Sequence, residues 1–334
     1  MKSILVTIIL ILCARSNLGL LAQMNCDLGA AKPFTPEKVK GGYKLCKVYT
    51  SINVDDESKL HLTNADAVYT YDEFGRRIGE VRYSDTVVFQ SYYFKYDSLG
   101  QMLVWNIDYM DGQQWKVTFH YSPKTNLLQE ERYVQTRKYL KAEVNEIRKV
   151  IKYTYDNKAH LLQENVYYRD TTSIEIQKRY FYNKAGKLIK VTIGNGGKPY
   201  IEKIYKYDSK GYLKELVNKG NICERYSYDE KGNRIEMIKY FDDGEVLDRI
   251  TYMYDDKGNK LEENEYSKEG ELRLAEKYNY NDQGQVTAIV VPDQFNICRS
   301  KIMNNYDRFG NLIEEVKYNH LQQPEHKNIY VYSK

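Results

Sequence analysis

From about residue 47 onward, apolar and polar positions alternate in short runs, and each run ends at a polar turn. The segment ITYMYDDKGNKLEENEY (250–266) shows the unit clearly. Side chains alternate across a strand, so Tyr252 and Tyr254 point to one face. The Asp255 carboxylate can accept backbone N–H groups two residues on, and Gly258 supplies a positive φ at low steric cost. A second strand of about seven residues follows, and turns such as KEGE (268–271) or DDGE (242–245) return the chain to the next unit.

The unit recurs ten times: YTYDEFGRR (69–77), FKYDSLGQM (94–102), FHYSPKTNL (119–127), YTYDNKAHL (153–161), YFYNKAGKL (180–188), YKYDSKGYL (205–213), YSYDEKGNR (226–234), YMYDDKGNK (252–260), YNYNDQGQV (278–286) and NNYDRFGNL (304–312). Its second aromatic falls at Tyr71, Tyr96, Tyr121, Tyr155, Tyr182, Tyr207, Tyr228, Tyr254, Tyr280 and Tyr306, and a further half-unit ends at Tyr332. Most intervals are 25 or 26 residues, enough for two strands and two turns.

Two strands per unit predict an all-β chain: a long antiparallel meander of tandem hairpins with about twenty strands. Open sheets seldom exceed ~10 strands without curling, and strand twist accumulates with one hand, so a coiled or spiral sheet is expected. Equivalent tyrosines would stack in rows, each cross-strand pair contributing roughly 0.2–1 kcal/mol.

Two stretches depart from the period. Between Tyr121 and Tyr155 there are about nine extra residues, in which Leu140, Val144, Ile147 and Ile151 have helical spacing. A short helix and a lengthened hairpin both fit, and the strand-like flanks favour the hairpin. Residues 23–46, with Pro33 and Pro36, lack the repeat and are expected to cap the 47–334 array. Residues 1–22 match a secretory signal, with Lys2, the apolar run Ile4–Leu12 and the small Ala22, so the chain is expected to be secreted or periplasmic, without a membrane span.

Composition sharpens this picture. Tyr occurs 34 times and mean hydropathy is −0.69, so the aromatic rows must replace much of an aliphatic core. Loss of Lys2 and Arg15 with the signal takes the formal charge from +4 to +2. Acidic and basic residues are interleaved, which excludes the clustered basic face of a nucleic-acid groove.

The Tyr-Asp-x-x-Gly unit resembles the YD repeats of the RHS family over residues 47 to 334. That resemblance implies a β-sheet repeat shell and an association with carbohydrate. Large members enclose a C-terminal toxin and carry an Asp-Pro-x-Gly core segment. Neither that segment nor a non-repeat C-terminal domain is found here, so toxin delivery is not implied and a small stand-alone protein is expected.

Chemistry-bearing motifs are sparse. His61, His120, His160, His320 and His326 form no zinc pattern, and GNGGKP (194–199) lacks the context of a phosphate loop. Each Asp-x-x-Gly turn offers one carboxylate where calcium wants six or more oxygens. No metal, no cofactor and no catalytic residue is assigned, and the chain is expected to be non-enzymatic, a glycan-active enzyme being the least favoured reading. After removal of the signal, Cys26, Cys46, Cys223 and Cys298 remain. A Cys26–Cys46 disulfide is favoured, whereas Cys223 and Cys298 lie three units apart and are expected to stay thiols.

The expected function is surface binding of an extracellular polysaccharide or a surface protein, with carbohydrate preferred. A structural or protein-interaction scaffold is the alternative. Sugar rings stack on Tyr and Trp, and Trp105 and Trp115 are the only tryptophans. A two-residue turn centred on Asp111 and Gly112 would pair Trp105 with Thr118 and Trp115 with Asp108, placing the tryptophans on opposite faces. Trp105 and Tyr109 are then the candidate platform, with Trp115 packed on the repeat side.

Overall fold

The computed structural model describes residues 38–52, 65–84, 86–139, 142–169, 172–195, 198–218, 220–292 and 297–334. The signal segment, Cys26 and most of the expected cap lie outside these residues.

Among the described residues twenty-two strands, β1 to β22 in chain order, form one antiparallel sheet in which each strand pairs with the next. Strand β22 (Pro324–Ser333) then pairs with β1 (Leu45–Ile52), from Leu45↔Ser333 to Ile52↔His326. The curling sheet therefore closes into a barrel. The described residues contain no helix. The long interval is a lengthened hairpin, β7 (Leu128–Tyr139) with β8 (Ala142–Tyr155), and Leu140 lies outside the described residues.

The repeated turn explains the curvature. Asp255 N–H donates to Asn259 O at 2.9 Å, Gly258 N–H donates to Asp255 O at 3.1 Å, and Gly258 has φ 85°. Asp255 Oδ1 accepts from Lys257 N at 2.9 Å and Asn259 N at 2.8 Å. Just before the turn the register slips by one residue at Tyr254. The same slip occurs at the second aromatic of every unit: Tyr71, Tyr96, Tyr121, Tyr155, Tyr182, Tyr207, Tyr228, Tyr280 and Tyr306. Bulges increase local twist, and further slips on the intervening strand pairs, as at Tyr240, Tyr266 and Tyr318, add to it from the other end of the hairpins.

The bulge tyrosines from Tyr96 to Tyr306, and Tyr332 with them, reach the neighbouring unit. Tyr96 OH donates to Arg77 O, Tyr121 to Met102 O, Tyr155 to Leu128 O, and so on around the sheet to Tyr332, which donates to Leu312 O. Ten such bonds, between 2.6 and 3.0 Å, tie the second tyrosine of one unit to the first residue of the preceding unit's second strand.

Strand β1 lies beside the half-unit ending at Tyr332 in the place a second strand takes in the other units. Cys46 pairs with Tyr332 on one side and Tyr69 on the other. Residues 39–44 stitch the rim: Val39 N donates to Gly75 O at 2.9 Å, and Lys40 N donates to Asn311 Oδ1 at 2.8 Å while Asn311 Nδ2 donates to Lys40 O at 2.9 Å. The described part of the expected cap thus completes a ring. A closed sheet has no edge left to shield.

Three buried apolar clusters lie along the tyrosine face. They centre on Cys46 and Val48 at the closure, on Met102, Val117 and Leu128, and on Leu161, Leu188 and Val191. Elsewhere most side chains on both faces are half-buried, as befits a barrel too wide for its own side chains to fill.

Candidate functional site

Strands β4 (Val87–Tyr96), β5 (Met102–Tyr109) and β6 (Gln114–Tyr121) carry both tryptophans. The turn between β5 and β6 has three residues, Met110-Asp111-Gly112. Tyr109 N donates to Gln113 O at 2.9 Å, Gly112 N donates to Tyr109 O at 3.0 Å, and Gly112 has φ 81°. That extra residue shifts the register by one from the expected pairing. Trp105 faces Val117 and Trp115 faces Ile107. The two tryptophans therefore share one face, the tyrosine face, which corrects their assignment to opposite faces.

On that face Trp105 pairs with Phe94 and lies nearly parallel to it, with ring centroids 6.3 Å apart at 22°. Tyr92 completes a three-ring cluster, 6.5 Å from Trp105 at 25° and 6.5 Å from Phe94. Trp105 is half-buried against the Met102–Val117 cluster, so it is a packed ring with part of its surface exposed. Tyr109, on the same face, is 40% exposed at the strand end. Trp115 is half-buried next to Gln135 of β7. Gln135 Nε2 donates to Gln113 Oε1 at 2.8 Å, and Gln135 Oε1 accepts from Arg148 Nε at 2.9 Å.

The resulting strip runs from Tyr92 and Trp105 to Trp115 and Tyr109, edged by the Gln113 amide and the Arg148 guanidinium, which the buried Gln135 holds in place. Aromatic faces beside fixed amide and guanidinium donors can stack a sugar ring and bond its hydroxyls. Trp115 lies on the repeat side, as expected, but beside Trp105, and nothing in the sequence marked Gln135 or Arg148. The available signal for the shared face was Met110-Asp111-Gly112 itself, whose Gly suits the left-handed position of a three-residue hairpin loop.

Further along this face carboxylates are engaged by tyrosines. Glu131, 8% exposed, accepts from Tyr133 at 2.6 Å and Tyr153 at 2.8 Å. Burial and the neighbouring Glu131 push both phenols well above their ordinary range. These contacts hold the acid in the fold. Among the described residues no group of three or more His, Cys, Asp or Glu could hold a metal ion.

Cys46 is fully buried at the closure, and burial raises its thiol to about 12. Its expected partner Cys26 is outside the described residues. Cys223 and Cys298 are separate thiols, half-buried, near the carbonyls of Leu216 and Ser300. No described helix is long and apolar enough to cross a membrane.

No family model and no curated protein matches the chain. Similar solved structures include the TcdB2–TccC3–TEV complex, at 15% identity and TM-score 0.40, covering 78% of this chain and 15% of that one. The TcdB2–TccC3–Cdc42 complex follows at 12% and 0.41, covering 86% and 18%. A porin-like protein from Bacteroides uniformis is similar at 8% and 0.29, covering 88% and 99%. This chain spans less than a fifth of the two toxin-complex chains. With TM-scores this low, none of these likenesses carries an argument about function.

Proposed function

We propose that the chain is a secreted, non-enzymatic repeat barrel that binds an extracellular polysaccharide on the strip formed by Trp105, Trp115 and Tyr109. The observation that carries this reading is the shared face of the two tryptophans, next to the Gln113–Gln135–Arg148 bonds. Secretion rests on the apolar leader at residues 4–12. The Tyr-Asp-x-x-Gly unit supports a place among the YD repeats of the RHS family.

The test is a polysaccharide pull-down and glycan array with the mature chain, repeated with Trp105→Ala and Trp115→Ala. Binding lost in both variants is the expected result. Unchanged binding in both would remove the strip from the site. A second reading, a scaffold with no small ligand, is favoured by one observation: the tyrosine–carbonyl bonds occupy ten tyrosine hydroxyls without any partner molecule. Absence of binding to every glycan on the array would favour it.

A further inference from the structure

A concave feature lies on the face opposite the tyrosines, on β10 (Ile176–Tyr182), β11 (Leu188–Asn195) and β12 (Lys198–Tyr207). Its origin is a difference in side-chain size across adjacent strands. Arg179 pairs with Thr192, which pairs with Glu202, and Gln177 pairs with Gly194, which pairs with Pro199. Gly194 has no side chain and Thr192 is short and 8% exposed, so the centre sinks between taller neighbours. The register also slips here, between Ile193 and Gly194. The depression holds about 180 Å³.

Its chemistry is mixed in a particular way. Phe181 offers a ring that is 43% exposed. Lys190 Nζ stands 5.8 Å from the centroid of that ring and 2.9 Å from Glu202 Oε2. The Lys190–Glu202 pair cancels internally, so the net positive charge of the wall comes from Arg179. Gln177 and Thr192 add neutral hydrogen-bonding groups. Guanidinium groups recognise carboxylates with paired, charge-assisted bonds, and an aromatic face receives the apolar side of a pyranose ring. The volume is below the ~300–1,000 Å³ of sites for drug-sized ligands, which restricts the occupant to a single ring.

We propose that this depression binds one hexuronate residue of an acidic polysaccharide, with its carboxylate on Arg179, its ring against Phe181, and its hydroxyls on Gln177, Thr192 and Glu202. The proposal rests on the reading of the chain as a carbohydrate-binding protein, but it uses a different face and different residues from the tryptophan strip.

The test titrates the mature chain with trigalacturonate and with its neutral methyl ester, in the native protein and in the Arg179→Gln, Phe181→Ala and Trp105→Ala variants. Trigalacturonate is expected to bind more weakly as salt rises, and the ester to bind at least about tenfold more weakly than the acid, since a charge-assisted pair is lost. Arg179→Gln should reproduce that loss, and Phe181→Ala should also weaken binding. Arg179 and Phe181 are both exposed, so these variants should melt like the native chain. Equal affinity for acid and ester, or full binding by Arg179→Gln, overturns the proposal. Binding that fails only in Trp105→Ala overturns it while leaving the polysaccharide reading intact. Absence of binding to any glycan, on the array or in titration, overturns both.

Discussion

The Tyr254 hydroxyl donates to the Arg234 carbonyl oxygen at 2.9 Å, linking two hairpins twenty residues apart in sequence. Arg234 follows the Asp229 turn of one unit, and Tyr254 precedes the Asp255 turn of the next. Since the contact repeats around the barrel, each unit is locked to its neighbour by a bond between side chain and backbone in addition to the strand pairing.

Tyr254→Phe removes that donor and leaves the Arg234 carbonyl without it. A loss of about 0.5–1.5 kcal/mol in unfolding free energy is expected from urea titration. Phe keeps the ring packing, so a loss much above this range would mean that the ring, rather than the hydroxyl, supplies the lock.

Gly258 and Gly75 both sit at positive φ, 85° and 73°, but their surroundings differ. A Cβ at Gly258 meets nothing closer than Asn233 Oδ1 at 3.8 Å, so Gly258→Ala should cost only the backbone strain, ~1 kcal/mol. A Cβ at Gly75 would lie 2.0 Å from Val39 O, which forces residues 39–44 to move. Gly75→Ala should cost a further ~1–3 kcal/mol, read as a lower urea midpoint. Equal costs at both sites would contradict the stitched rim.

Asn311 and Asn259 occupy the same place in their units, and each donates to its turn carboxylate, Asn311 to Asp307 at 2.9 Å and Asn259 to Asp255 at 2.8 Å. Asn311 alone of the two also bonds Lys40 in both directions. Asn311→Ala should therefore speed amide hydrogen exchange in β1 and β22, whereas Asn259→Ala should leave those strands protected. The same exchange pattern in both variants would show that the closure does not depend on Lys40.

Burial raises the phenols of Tyr96 and Tyr182 to about 12. An unfolded tyrosine titrates near about 10. The folded state thus holds these protons more tightly, and the resulting stability is complete below pH ~10 and lost as pH rises through about 12. Ultraviolet difference spectra should show a class of tyrosines ionising late, together with loss of β-sheet circular dichroism. Ionisation of all tyrosines at the ordinary value with the sheet intact would refute the hydroxyl–carbonyl ring.

The sequence by itself determined the hairpin. Tyr252 and Tyr254 on one face, Asp255 as the turn's acceptor and Gly258 at positive φ all depend on residues within a few positions of one another, and local sterics and hydrogen bonding suffice to dictate them. The lengthened β7–β8 hairpin was legible for the same reason. Two features were not. The face of Trp115 turned on whether the loop at Met110-Asp111-Gly112 counts two residues or three, because a slip of one reverses every side chain of a strand. Closure depended on a bond between chain ends: Asn311 and Lys40 lie 271 residues apart, and their contact exists only because the twist of all the intervening bulges brings Tyr332 alongside Cys46. No local pattern encodes that sum, so tertiary structure alone decided that the meander becomes a ring whose last half-unit is completed by its first strand.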